Sequence, residues 1–194
     1  MKTLKELTWE HHKEAERQGF VKILMSGKIH PEVYANYLFN QHQCYNILEP
    51  LAMAEGLLDK FPFIRRAPAI KADFDELWTY AHQPMMMEST RKYVDYANKE
   101  LMDCPEKIMA HIYVRHMGDL SGGQMIMKKT PGPNRYYKFK HKEVGDYKRI
   151  VKETINTYLN VYEHSVVPEA KFCFESATKL FKEMKELHDL GTID

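Results

Sequence analysis

Long hydrophobic runs are missing from this sequence. No window approaches the roughly 20 consecutive apolar residues needed to span a bilayer. The opening MKTLKELTWEHHKEAE holds no apolar stretch resembling a signal peptide. The closing LHDLGTID is polar and carries no anchor, so a cytoplasmic protein with no membrane partner is expected. Cysteine is scarce too. Cys44, Cys104 and Cys173 are widely spaced with no CxxC pair, which excludes a disulfide framework and favours free thiols in a reducing compartment. Charge of one sign is not in excess: the formal net charge is +1, which gives no reason to expect nucleic acid or an anionic membrane as a partner. NG and DG turns between alternating apolar runs do not occur, so β-hairpins are not expected.

What the sequence does have is helical periodicity over long stretches, punctuated by only nine glycines and nine prolines. Thr3 to Gln18 reads as a first helix, with Thr3 as N-cap and Glu6 completing a capping box. Pro31 suits a first helical position and opens a second helix that runs to about Asp59, bent at Pro50. Phe61-Pro62-Phe63 is a turn. Further helices are expected over Ala69 to Ala81, Glu88 to Met102, and Pro105 to about Lys129. Pro131-Gly132-Pro133-Asn134 is the clearest loop, and Val144 to Tyr162 and Pro168 to Leu190 make the last two helices. With 44% hydrophobic residues, the 194-residue chain is long enough for one core. The expectation is an all-α, single-domain bundle over residues 1–194, with about six or seven helices. Such a bundle could bind many things, so function must come from particular residues.

The most informative segment is YVRHMGDLSGGQ, from Tyr113 to Gln124. Helix-formers flank it on both sides, yet Gly118, Gly122 and Gly123 sit in the interior, where each costs about 1 kcal/mol relative to alanine. One explanation is a kink packed tightly against another helix. The other is a backbone that lies almost on a flat ligand, where a Cβ would collide. Asp119 and Ser121 would then present polar groups to the same surface. A phosphate loop does not fit, because the pattern is neither GxxxxGK[ST] nor strand-initiated.

YVRHMGDLSGGQ resembles the distal-helix motif of haem oxygenases. LKELTWEHHKEAE, from Leu4 to Glu16, is similar to the proximal helix of that family, and the likeness continues through Phe20 to Glu49. EAKFCF, from Glu169 to Phe174, and Leu180-Phe181 resemble its closing helix, whereas residues 61–105 and 130–165 resemble it only loosely. The resemblance implies a helical fold with haem b, both cofactor and substrate, held between the first helix and a glycine-kinked distal helix. It also implies the activity: opening of haem at the α-meso carbon to biliverdin IXα, with release of CO and ferrous iron, using O2 and reducing equivalents. An electron donor is then required. The polar ends favour a soluble ferredoxin, and a monomer is the default.

An axial ligand must come from ten histidines, and neutral imidazole is common in that role. His11 and His12 are neighbours on the first helix, about 100° apart, and periodicity does not choose between them. The resemblance selects His12 as the metal ligand. Glu16, four residues on, is on the same helical face and suits the second imidazole nitrogen. For the haem propionates the resemblance implies Lys5 and Tyr113, with Arg149 favoured over Lys148 and Lys152 as the remaining base. Where many relatives carry a second base, this chain has Trp9. Gly118, Ser121, Gly122, Gly123 and Phe174 complete the expected cofactor contacts. Asp119, with Tyr45 and Arg115, matches the residues that hold a proton-delivering water network. Three other classes compete: a non-catalytic haem or bilin carrier, a di-iron carboxylate bundle, and an interaction module. The di-iron chemistry wants Glu-x-x-His pairs, and none occurs.

Overall fold

The structure is a computed structural model that describes residues 2–139 and 144–191; the last residues of the polar tail, 192–194, lie outside them. Among the described residues there are nine α-helices, two 3-10 turns and no strand. The helices are α1 (Leu4–Leu7), α2 (Trp9–Glu16), α3 (Gly19–Ser26), α4 (Pro31–Ala54), α5 (Ala67–Leu77), α6 (Glu88–Glu100), α7 (Pro105–Ser121), α8 (Gly123–Ile126) and α9 (Val144–Leu190). The all-α expectation therefore holds. The helix count exceeds it: α1 and α8 are four-residue segments cut from longer periodic stretches, α3 lies where no helix was expected, and the last two expected helices are counted together as α9.

The first of those cuts falls at Thr8. The Thr3–Glu6 capping box forms as expected, with the Thr3 amide donating to Glu6 Oε2 at 2.7 Å. The expected single helix then breaks. The buried Thr8 hydroxyl donates back to the Leu4 carbonyl at 2.7 Å, and its backbone leaves helical values at φ −116°, ψ 11°. Such back-bonding bends helices. Gln18 in an extended conformation separates α2 from α3.

α4 stops at Ala54 rather than near Asp59, because Gly56 takes a left-handed φ of +67° and the Leu57 amide returns to the Ala52 carbonyl at 2.9 Å. Pro50 lies inside this helix without ending it. α5 starts two residues earlier than its sequence signals suggest, for a tertiary reason. The buried Glu49 carboxylate of α4 accepts from the Arg66 and Ala67 amides at 2.5 and 3.1 Å, capping the helix from outside. The loop at 131–134 is real but firmly held. Asn134, in the left-handed region, donates to the Met127, Thr130 and Gly132 carbonyls and accepts from the Tyr34 hydroxyl at 2.8 Å.

The two expected C-terminal helices adjoin within α9: the backbone leaves helical values at Tyr162 (φ −124°, ψ 36°), where the first was expected to end, and the second starts before Pro168, which lies inside it. α9 is the spine of the molecule: α1, α2, α3, α4, α6 and α7 all pack against it. Phe20, Leu24, Tyr34, Leu38, Leu48, Tyr93 and Val151 are among the fully buried residues of the shared core. Each large apolar side chain there contributes about 1.5–3 kcal/mol of burial. The arrangement sets α2 and α7 against the same spine and lays α4 along α7.

Candidate functional site

The three glycines around the α7–α8 junction have different surroundings. None of them has a positive φ; Gly122 stays right-handed at φ −62°, ψ −36°. Backbone conformation therefore does not require glycine here, and the reason must be space. A Cβ on Gly123 would run into the Tyr137 ring, so this glycine answers to packing. A Cβ on Gly118 would meet nothing within 4 Å, and one on Gly122 would meet only the Gly118 carbonyl, at 3.6 Å. Positions 118 and 122 lie on one helical face. That face is bare, which is what a flat ligand against the backbone would need.

Asp119, one residue on from Gly118, is buried at 6% exposure. Tyr45 on α4 donates its hydroxyl to Asp119 Oδ2 at 2.6 Å, and Tyr136 donates to the Tyr45 oxygen at 3.4 Å. Burial pushes the Asp119 carboxyl up to about 6, against lowering contributions from His116 and from the two tyrosine hydroxyls. Burial also raises both tyrosines well above their ordinary range, so they remain donors at neutral pH. Beside this cluster His116 and Glu49 form a fully buried pair at 3.0 Å, and the Tyr45 ring tilts over His116 at 5.1 Å.

Arg115 is buried in the same region but makes no ion pair with Asp119. It donates to Gln41 at 3.3 Å and lies over the Tyr93 and Tyr45 rings, 4.1 and 5.7 Å from their centroids. Its Nε is buried without a partner. The expected trio thus splits: Tyr45 and Asp119 are joined directly, while Arg115 neighbours them through the Tyr45 ring. Tyr136 and Gln41 were not anticipated. Tyr136 belongs to a stretch with weak family likeness, and no local pattern marks either residue.

On α2 the two adjacent histidines face different neighbours. His11 Nε2 lies 3.3 Å from Glu175 Oε1 on α9, beside a surface groove lined by Glu14, Thr178, Lys179 and Lys182. His12 Nε2 lies 3.5 Å from Glu16, and its Nδ1 is buried with no partner at all. A buried imidazole nitrogen left unpaired costs about 1–3 kcal/mol, a cost that an incoming metal would remove. Phe174 on α9 meets the His12 ring edge-on at 5.7 Å, and Trp9 stacks on it at 5.6 Å. An unpartnered imidazole nitrogen and a bare glycine face are features that a haem site would need.

The expected propionate partners are dispersed. Lys5 precedes the Thr8 break, so it does not share a continuous helical face with His12, yet its Nζ sits 5.5 Å from the ring of Trp9, which stacks on His12. Tyr113 is buried on α7, and burial raises its pKa. Arg149 is exposed and already paired, with Glu153 at 3.2 Å and Asp146 at 3.6 Å. Lys148 and Lys152 flank it on α9, and Ser121 is exposed at the end of α7.

Known proteins resemble this chain over nearly all of its length. The "Heme oxygenase" family model matches residues 1–183. "Heme oxygenase 2" of Mus musculus is 30% identical over 208 residues, covering 94% of this chain and 64% of its own length; the chain thus spans just under two thirds of that relative. "Heme oxygenase 1" of the cyanobacterium Synechocystis is 27% identical over 203 residues, covering 94% of this chain and 83% of its own. Among solved structures, heme oxygenase from Leptospira interrogans superposes with a TM-score of 0.81 at 27% identity, over 93% of this chain and 97% of that one. The Synechocystis enzyme in complex with heme has the same fold, with a TM-score of 0.82 at 24% identity over 97% and 94% of the two chains. With a family model matched over nearly all its length, this chain belongs to the haem oxygenase family.

Proposed function

We propose that the chain, as one domain, is a haem oxygenase that converts haem b to biliverdin IXα, CO and ferrous iron, using O2 and electrons from a ferredoxin. One observation carries this beyond family membership. A carboxylate with its pKa raised to about 6 is buried beside a bare glycine face and held by a tyrosine hydroxyl at 2.6 Å. A carrier has no use for a proton-active group there, and a catalyst of oxygen chemistry does.

When bound, haem supplies the iron that activates dioxygen and the meso carbon that is oxidised. His12 would hold the iron, with Glu16, 3.5 Å from its imidazole, orienting the ring. Gly118 and Gly122 would let the α7 backbone lie against the ring, and Phe174 would close the proximal side. Lys5, Tyr113 and Arg149 would meet the propionates; Arg149 would exchange its exposed carboxylate partners to do so. Asp119 would hold and release a proton at its carboxylate near neutral pH, with Tyr45 donating to Oδ2 and Tyr136 behind it. Arg115 would add a buried positive charge beside Tyr45 in the same cluster. No helix among the described residues is long and apolar enough to cross a membrane, and the proposal takes the donor to be a soluble protein.

Hemin titration tests the reading. A sharp Soret band is expected, followed by bilin absorbance when reductant and O2 are supplied. A Soret band with no bilin product would make the chain a carrier. His12→Ala should lose the normal ferric spectrum and recover it in part with added imidazole, whereas His11→Ala should resemble the unmodified protein. The reverse pattern would overturn the ligand assignment.

A further inference from the structure

Trp9 is the first residue of α2 and is 42% exposed, a large side chain that fills no core. Its ring stacks on the His12 imidazole with centroids 5.6 Å apart and planes only 12° from parallel. Two cations hold the indole in turn: Lys5 Nζ lies 5.5 Å and Lys13 Nζ 5.7 Å from its centroid. Lys13 is itself tied to Glu10 at 2.8 Å. The break at Thr8, fixed by its bond to the Leu4 carbonyl, lies between Lys5 and Trp9, so the α1 lysine and the α2 lysine flank the indole from different helical segments. Phe174 meets the same imidazole edge-on at 83°.

These contacts constrain one torsion. The ring torsion of histidine is broad and roughly two-fold when nothing packs against it. An offset-stacked indole on α2 and an edge-on phenyl from α9 leave the His12 plane little freedom.

We propose that Trp9 is a positioning residue for His12, setting the plane of the imidazole before haem arrives. The proposal rests on the reading of His12 as the iron ligand. Its consequence is preorganisation: the ordering of the ligand ring is already accomplished in the apoprotein, so haem binding does not have to supply it. A surface tryptophan without this role would affect stability alone.

The test begins in the apoprotein, by NMR of histidine ring protons, with the His12 signal assigned by its loss in His12→Ala. The stacked indole should hold that signal upfield. Trp9→Leu should return it towards the position of an exposed histidine, and Trp9→Phe should keep most of the shift. With hemin bound, Trp9→Leu should broaden the ferric EPR signal into a spread of ligand orientations and weaken hemin binding by about threefold to tenfold, the value of one aromatic pair. Trp9→Phe should restore both. An unmoved His12 signal in Trp9→Leu, or an EPR spectrum and hemin affinity equal to the unmodified protein, overturns the proposal while leaving the ligand reading intact. A normal hemin spectrum in His12→Ala overturns both.

Discussion

The Tyr45 hydroxyl and the Asp119 carboxylate, 74 residues apart in the chain, meet at 2.6 Å where α4 lies along α7. The bond holds a carboxylate that burial makes hard to ionise and leaves it one strong donor. Such a group has consequences for stability as well as for chemistry.

The stability consequence depends on pH. The native state binds the Asp119 proton more tightly than the unfolded chain, with a pKa raised from 3.8 to about 6. Below the unfolded value both states are protonated and nothing is lost. As pH rises through about 4 to 6 the native state loses relative stability, by about 3 kcal/mol in full. Asp119→Asn removes that loss. The apoprotein variant should be more stable than the unmodified protein at about pH 8, with the gain fading to nothing below about pH 4. Denaturant melts at the two pH values check it, and a gain that grows on acidification would refute it.

For the chemistry, Asp119→Ala should bind hemin within about tenfold of the unmodified protein, about 1.4 kcal/mol. It should nevertheless yield little biliverdin at matched haem loading. Asp119→Asn should be milder if the amide still holds water, and Tyr45→Phe milder than Asp119→Ala, since it removes one hydroxyl from a shared cluster. The effects of Tyr45→Phe and Asp119→Ala should not add. Product analysis by absorbance and chromatography decides this; biliverdin at the unmodified rate from Asp119→Ala would remove the carboxylate from the mechanism.

The glycines should separate by sign. Gly123→Ala drives a methyl into the Tyr137 ring and should destabilise the apoprotein by about 1–3 kcal/mol. Gly118→Ala meets open space and should be neutral or stabilising by up to about 1 kcal/mol, while hemin affinity falls. Thermal melts of the apoproteins beside hemin titrations measure both. Equal melting losses would mean that both glycines serve packing.

A ferredoxin is usually acidic, so its docking face should carry bases near the haem edge: Lys5, Lys13, Arg17, Lys128, Lys129 and Arg149. Lys13 and Arg149 are partly neutralised by Glu10, Asp146 and Glu153, which leaves Lys5, Arg17, Lys128 and Lys129 to dominate. Ferredoxin-supported turnover should fall with added salt, because steering is screened beyond about 8 Å at 0.15 M. Turnover that does not respond to salt would exclude this face.

Sequence alone determined most of the helical architecture, because periodicity and capping are local. Thr3 with Glu6, Pro31 and Pro105 each start a helix where their chemistry says one should start. The glycine-rich segment also announced itself locally, since three glycines inside a helix cost too much to be idle. Tertiary structure decided what local chemistry could not encode. Glu49 caps α5 from another helix. Tyr137 accounts for Gly123 but not for Gly118 or Gly122. His11 and His12 are equivalent to any periodicity argument, and α9 separates them: Glu175 reaches one, while Phe174 meets the other edge-on. The physical reason is common to all of these. Helix propensity is a property of neighbours in sequence, whereas burial, unpaired polar atoms and raised pKa values come from groups that meet only when distant helices pack.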